Sequence, residues 1–165
     1  MYGRGSMEPA ISAICCLRWP EVQANAVEAD RRKENGPGNM TPIRALIVDD
    51  SSVMRKIIER CLRQAGIEFA SVCEAANGKD ALEIVKQQTL DLILSDINMP
   101  VMNGLEFVEN LQLLPQGKNI PVVMITTEGS ESHVLKALSC GARGYIRKPF
   151  TPDEVKEHVL PILSA

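Results

Sequence analysis

From residue 41 onward, short unbroken apolar runs alternate with stretches whose apolar residues recur every three to four positions. Ile43–Val48 is such a run and predicts a buried strand. Residues 52–65 place Met54, Ile57, Ile58, Cys61, Leu62 and Ala65 at helical spacing, and Gly66 stops them. A weaker strand follows over 68–75, around Phe69 and Val72. Gly78–Gln87 carries Ala81, Leu82 and Val85 on one face and is capped by Asn77. Residues 91–95 predict a second fully buried strand, and 104–114 a helix through Leu105, Val108 and Leu111 that closes before Pro115. Residues 120–126 predict the fourth strand, with Pro121 confined to its start. A helix over 132–139 is followed by Gly141, which suits a C-terminal cap. Residues 144–146 predict a short fifth strand. The last helix has the sharpest local signal. Thr151 and Glu154 are spaced for a capping box, Pro152 takes the first helical position, and Phe150 and Val155 are spaced for a hydrophobic staple.

The pattern is five βα units. Their strands read as near-continuous apolar runs, as strands covered on both faces do. The fold class that follows is α/β, an open, doubly wound parallel sheet with its ligands at the carboxyl ends of the strands.

Residues 1–39 differ from the rest. They have mixed charge, Gly-rich patches at Gly3-Arg4-Gly5 and Gly36-Pro37-Gly38, and no sustained period. Residues 1–40 read as an N-terminal extension, either disordered or weakly helical, or as artefactual sequence upstream of a true start at Met40. Residues 41–165 read as the folded domain. The mildly apolar stretch 10–17 ends at Arg18 and makes a poor signal peptide. No run approaches the roughly 20 apolar residues of a membrane span. The net charge of −3 gives no argument for nucleic acid or an anionic membrane as a partner. Cysteines 15, 16, 61, 73 and 140 form no Cys-x-x-Cys, and such a scattered, odd set reads as reduced thiols in the cytoplasm. Cys61, Cys73 and Cys140 read as small core residues, and His133 and His158 as exposed helix residues.

The residues at the strand ends change this picture. The first strand runs into Asp49-Asp50, the third into Ser95-Asp96, the fourth into Thr126-Thr127 and the fifth into Arg147-Lys148-Pro149. If these strands are parallel neighbours, three carboxylates, a hydroxyl and an ammonium meet at one edge. Carboxylates that close repel one another unless a divalent cation sits among them. Asp96, ending a rigidly held apolar strand, is the candidate nucleophile, since a carboxylate can accept a phosphoryl group as an acyl phosphate. Asp50 and Asp96 fit as direct Mg²⁺ ligands and Asp49 as a water-mediated one, with a backbone carbonyl from the loop Ile97-Asn98-Met99-Pro100 completing the shell. Lys148 suits a phosphoryl oxygen as a point charge, and Thr126 can donate one hydrogen bond to the same group. Each signal is weak singly, because short motifs recur by chance. Their shared position at strand ends is what makes them informative.

These residues resemble the response-regulator receiver family from about residue 43 to 162, and within it the stand-alone chemotaxis regulators. The motifs that carry the resemblance are Val48-Asp49-Asp50-Ser51-Ser52-Val53-Met54-Arg55, Asp96-Ile97-Asn98-Met99-Pro100, Asn103-Gly104, Ile125-Thr126, Gly141-Ala142 and Lys148-Pro149-Phe150. The resemblance implies a flavodoxin-like five-stranded sheet of order 2-1-3-4-5 flanked by five helices. It implies a single-domain regulator, not an enzyme in its own right, phosphorylated on Asp96 by a sensor histidine kinase or a small acyl phosphate. It places Mg²⁺ on Asp50, Asp96 and the Asn98 carbonyl, with Asp49 holding it through water, and it implies a cis Lys148–Pro149 bond. Thr126 and Tyr145 would act as switch residues that bias the face of the fourth helix, fifth strand and fifth helix between two states. Asn98 and Glu128 would flank the phosphoryl group as in the chemotaxis regulators, so quick self-dephosphorylation is expected. The partners implied are the kinase and a downstream protein, such as a motor switch, on the Tyr145 face, with a monomeric chain and no nucleic acid or membrane.

Only about one helix remains after Phe150, so the expected output is protein binding, or phosphate relay between histidine-containing partners. Three positions depart from motor-binding relatives: Glu131 stands where they tend to carry lysine, Arg147 where they carry an apolar residue, and His158 near another basic position. These leave the partner open. A phosphatase of the haloacid-dehalogenase type would need Asp-x-Asp after the first strand, and here the aspartates are adjacent. A flavin mononucleotide binder would need a richer phosphate loop than Ser51-Ser52. A receiver fold kept only as an interaction module is disfavoured by the intact acidic set.

Overall fold

The computed structural model describes residues 41–127 and 130–165, without the side chain of Glu131. The elements alternate as the pattern requires: β1 (Ile43–Val48), α1 (Ser52–Gln64), β2 (Phe69–Ala75), α2 (Gly78–Gln87), β3 (Leu92–Ser95), α3 (Gly104–Leu113), β4 (Val122–Thr126), α4 (Glu131–Ser139), β5 (Gly144–Arg147) and α5 (Pro152–Ser164). The strands form one parallel sheet in the order β2-β1-β3-β4-β5. The expected extension at 1–40, with Cys15 and Cys16, lies outside the described residues, as does Glu128.

Successive strand residues point to opposite faces, so each central strand supplies two cores. Leu46, Val48, Ile93, Val122 and Met124 pack against α2, α3 and α4 through Ala81, Val85, Phe107, Leu111 and Ala137. Ile47, Leu92, Leu94, Val123 and Ile125 pack against α1 and α5 through Ile58, Leu62, Val155 and Val159. Fully burying side chains of this size contributes about 1.5–3 kcal/mol each. β1, β3 and β4 are almost wholly buried, whereas β2, the weaker strand in the sequence, is a half-exposed edge. The sequence signal was weak there because an edge strand is covered less completely.

Several element boundaries differ from the sequence reading by one or two residues, and one cap was not anticipated. β4 begins at Val122, because Pro121 has no N–H for the ladder, although its carbonyl accepts the Ile93 N–H at 3.0 Å. β5 extends to Arg147, which pairs with Thr126. α4 starts one residue early, at Glu131. α3 opens with a capping box between Asn103 and Glu106 that the sequence reading did not single out. The capping box at Thr151 and Glu154 is present, with Pro152 in the first turn. Gly66 and Gly141 both hold positive φ, at 87° and 111°, after α1 and α4. No described helix is long and apolar enough to cross a membrane.

Candidate functional site

The register brings the strand ends together. Val48 pairs with both Ala75 and Ser95, so β1 and β3 finish level and the next residues, Asp49 and Asp96, emerge side by side. The Asp96 N–H donates to the Val48 carbonyl at 2.9 Å, which ties the third strand's exit to the first. On the other side, the Lys148 N–H donates to the Thr126 carbonyl at 2.8 Å. Asp96 and Lys148 are thus each tied to the backbone of a neighbouring strand.

Asp49, Asp50 and Asp96 each present a carboxylate oxygen within 4.8 Å of the others. Asp49 and Asp96 are buried, and Asp50 is exposed at the mouth. Asp49 Oδ1 accepts the Ser51 N–H at 2.8 Å, and Asp49 Oδ2 accepts Lys148 Nζ at 2.7 Å. The same ammonium lies 3.3 Å from Asp96 Oδ2, while Asp96 Oδ1 accepts the Ile97 N–H at 2.7 Å. Burial pushes the Asp96 carboxyl above its usual range. The Lys148 charge opposes this and the Asp49 charge reinforces it.

The donor set fits Mg²⁺. It consists of hard carboxylate oxygens, close together, carrying more negative charge than the single ammonium of Lys148 balances. Asn98 is exposed in the loop after Asp96, and Thr126 is fully buried at the end of β4. The Lys148–Pro149 peptide is cis. Tyr145 is half-buried on β5 and packs on the core that contains Phe107.

Two features between the end of β3 and the first turn of α3 went unread in the sequence. Gly104, quoted only as part of a motif, sits so close to Asp96 that an added Cβ would lie 2.1 Å from the Asp96 carbonyl oxygen. The signal was a glycine directly after a helix-capping asparagine. Val101 holds φ at 69° while 79% exposed, a left-handed conformation rare for a β-branched residue. Nothing in the sequence marks it.

Among the described residues, the histidines and cysteines take no part in the acidic cluster. His158 is exposed, as expected, but His133 is half-buried, with Nδ1 2.8 Å from Ser130 Oγ. Ser130 is thereby used by the ring and makes no side-chain cap to α4. Cys61 is buried, and Cys73 and Cys140 are half-buried against the core, all three as free thiols.

The response regulator receiver domain model matches residues 45–160. The chemotaxis protein CheY1 of Helicobacter pylori is 42% identical over 122 residues, covering 73% of this chain and 97% of that protein. The solved chemotaxis response regulator CheY4 of Vibrio cholerae matches with a TM-score of 0.65 and 37% identity, over 74% of this chain and 99% of that one. The receiver domain of a Pseudomonas aeruginosa sensor histidine kinase, solved with magnesium coordinated in its active-site cleft, matches with a TM-score of 0.63 and 27% identity, over 74% and 95% of the two chains.

Proposed function

The chain belongs to the response regulator receiver family, among chemotaxis-type regulators of two-component signalling, and from that premise we propose that it is a Mg²⁺-dependent phosphoacceptor switch with Asp96 as the acceptor. One observation carries this reading: Lys148 Nζ lies 2.7 Å from Asp49 and 3.3 Å from Asp96. One ammonium thus touches two buried carboxylates, beside the oxygen that would take the phosphoryl group.

In this mechanism an Asp96 carboxylate oxygen attacks the phosphorus of a phosphohistidine or a small acyl phosphate. The new O–P bond forms as the donor's bond to phosphorus breaks, and Asp96 becomes an acyl phosphate. Mg²⁺, held by Asp50, Asp96 and the Asn98 carbonyl and through water by Asp49, would neutralise charge on the phosphoryl oxygens. Lys148 pairs with one phosphoryl oxygen and Thr126 donates a hydrogen bond to another. The Ile97 N–H holds Asp96 Oδ1, which leaves Oδ2 facing Lys148.

Readout would run through the face around Tyr145. Leu135 and Leu138 are exposed on α4, Arg147 on β5 and His158 on α5. A cleft of about 410 Å³ lies between β5 and α5, lined by Tyr145, Arg147, Pro149 and His158. Lys148 lines it too, so one residue borders both the acidic site and the cleft. The downstream partner is a protein, the upstream partner a sensor histidine kinase, and the setting the cytoplasm. The residues described form one receiver domain, acting as a monomer.

The test is labelling with acetyl phosphate and Mg²⁺. Wild type is expected to take one phosphoryl group, lost in Asp96→Ala and on chelation of the metal. Stoichiometric labelling of Asp96→Ala, or mapping of the label to Asp49, would overturn the assignment.

A further inference from the structure

Arg55 lies in the motif that follows β1, yet the phosphoacceptor chemistry gives it no part. Its side chain is only 14% exposed, unusually low for an arginine on the first turn of a surface helix. Nη1 donates to the Asp49 backbone carbonyl, at 2.6 Å. Nε donates to Glu74 Oε2 on β2, at 2.8 Å. The other Glu74 oxygen accepts Lys56 Nζ at 2.6 Å, so the carboxylate is held by two cations and stays ionised well below the ordinary range, through Lys56 first and Arg55 next.

The Asp49 carbonyl is where the chain leaves the sheet. Its residue's N–H is still held by β2, through the Ala75 carbonyl at 3.1 Å, and Ser51 already caps α1. The peptide between Asp49 and Asp50 therefore sets where both carboxylates point, and Arg55 grips that peptide from behind. Glu74 fixes the guanidinium and offsets its charge.

We propose that Arg55 is a positioning residue for the acidic cluster: by bridging the Asp49 carbonyl to Glu74, it holds Asp49 and Asp50 in the arrangement that a divalent cation requires. This rests on the phosphoacceptor reading above.

The sign of one measurement separates positioning from simple electrostatics. Arg55 is a cation within one peptide of two metal-binding carboxylates, so removing it on charge alone tightens Mg²⁺ binding. Removing a brace loosens it, by about ten- to a hundredfold for groups that orient metal ligands. Mg²⁺ is titrated calorimetrically into wild type, Arg55→Met and Arg55→Lys, with thermal melts confirming that each is folded and acetyl phosphate labelling run in parallel. Arg55→Met is expected to bind Mg²⁺ at least tenfold more weakly. Arg55→Lys keeps the charge but cannot grip both anchors as a planar fork does, so it should fall between the two. Unchanged or tighter binding by Arg55→Met overturns the inference. Should Arg55→Met not fold, Arg55→Lys decides: a loss at retained charge supports positioning, and wild-type affinity overturns it. A wild type that takes no label at all defeats the phosphoacceptor reading instead, whatever the variants do.

Discussion

Asp96 is placed where a carboxylate is least comfortable. Its burial raises its pKa in the native state, with Lys148 opposing and Asp49 adding to the rise. The native state then holds the proton more tightly than the unfolded chain does. Stability contributed by this group is present below its unfolded pKa, about 3.9, and is lost as pH rises through the higher native value. Asp96→Asn removes that loss. Without metal, it should melt above wild type at about pH 7 and converge with it near pH 4. Melting curves in chelator across that range decide the matter, and a constant gap at all pH values would refute it. Gly104 is the second pressure point. A methyl there would meet the Asp96 carbonyl and also the Met124 side chain, 2.8 Å away. Overpacking against backbone costs about 1–3 kcal/mol. Gly104→Ala should therefore melt several degrees lower and label more slowly, because the displaced atom belongs to Asp96, the acceptor proposed above.

Elements meet the site through their ends. α3 starts on a reciprocal cap, with the Asn103 side chain accepting the Glu106 N–H at 2.9 Å and Glu106 Oε2 accepting the Asn103 N–H at 3.2 Å. The next residue, Gly104, donates its N–H to the Ile97 carbonyl at 2.9 Å, so the cap also anchors the loop that leaves Asp96. Losing an Asn cap costs about 1 kcal/mol. Asn103→Ala should lower the unfolding free energy by that amount, read from denaturant melts, and slow labelling. Thr151→Ala, at the equivalent cap of α5, should cost a similar amount of stability with a smaller effect on labelling, as its hydrogen bonds close on Glu154 within its own first turn. Equal effects on labelling from both would show that α3's cap acts through stability alone.

At the scale of the whole molecule, apposed carboxylates repel one another, and the proposed Mg²⁺ would relieve them. Mg²⁺ at a hundred times its dissociation constant should add about 2.7 kcal/mol by mass action. Asp50→Ala should lose most of that gain, and thermal melts with and without Mg²⁺ measure it. An undiminished gain would remove Asp50 from the ligand set. The elements were legible in the sequence because their signals are local. Apolar runs and helical spacing marked the elements from β1 to β5, cap residues marked α5, and the polar residues closing four of the five strands marked the candidate site. What stayed hidden was relational. Asp49 and Asp50 are identical neighbours in the chain, yet one is buried under Lys148 and the other open to water. Arg55 and Glu74 stand 19 residues apart, and only the pairing of β1 with β2 brings them into contact. Gly104 showed as a motif glycine, and its need for space came from the backbone of a different element.

Local pattern alone therefore determined the succession of elements and which residues stand at their carboxyl ends. Tertiary structure decided the distances among those residues. Strand register is set by how two cores pack on opposite faces of one sheet, and a shift of one residue would turn every strand-end side chain away.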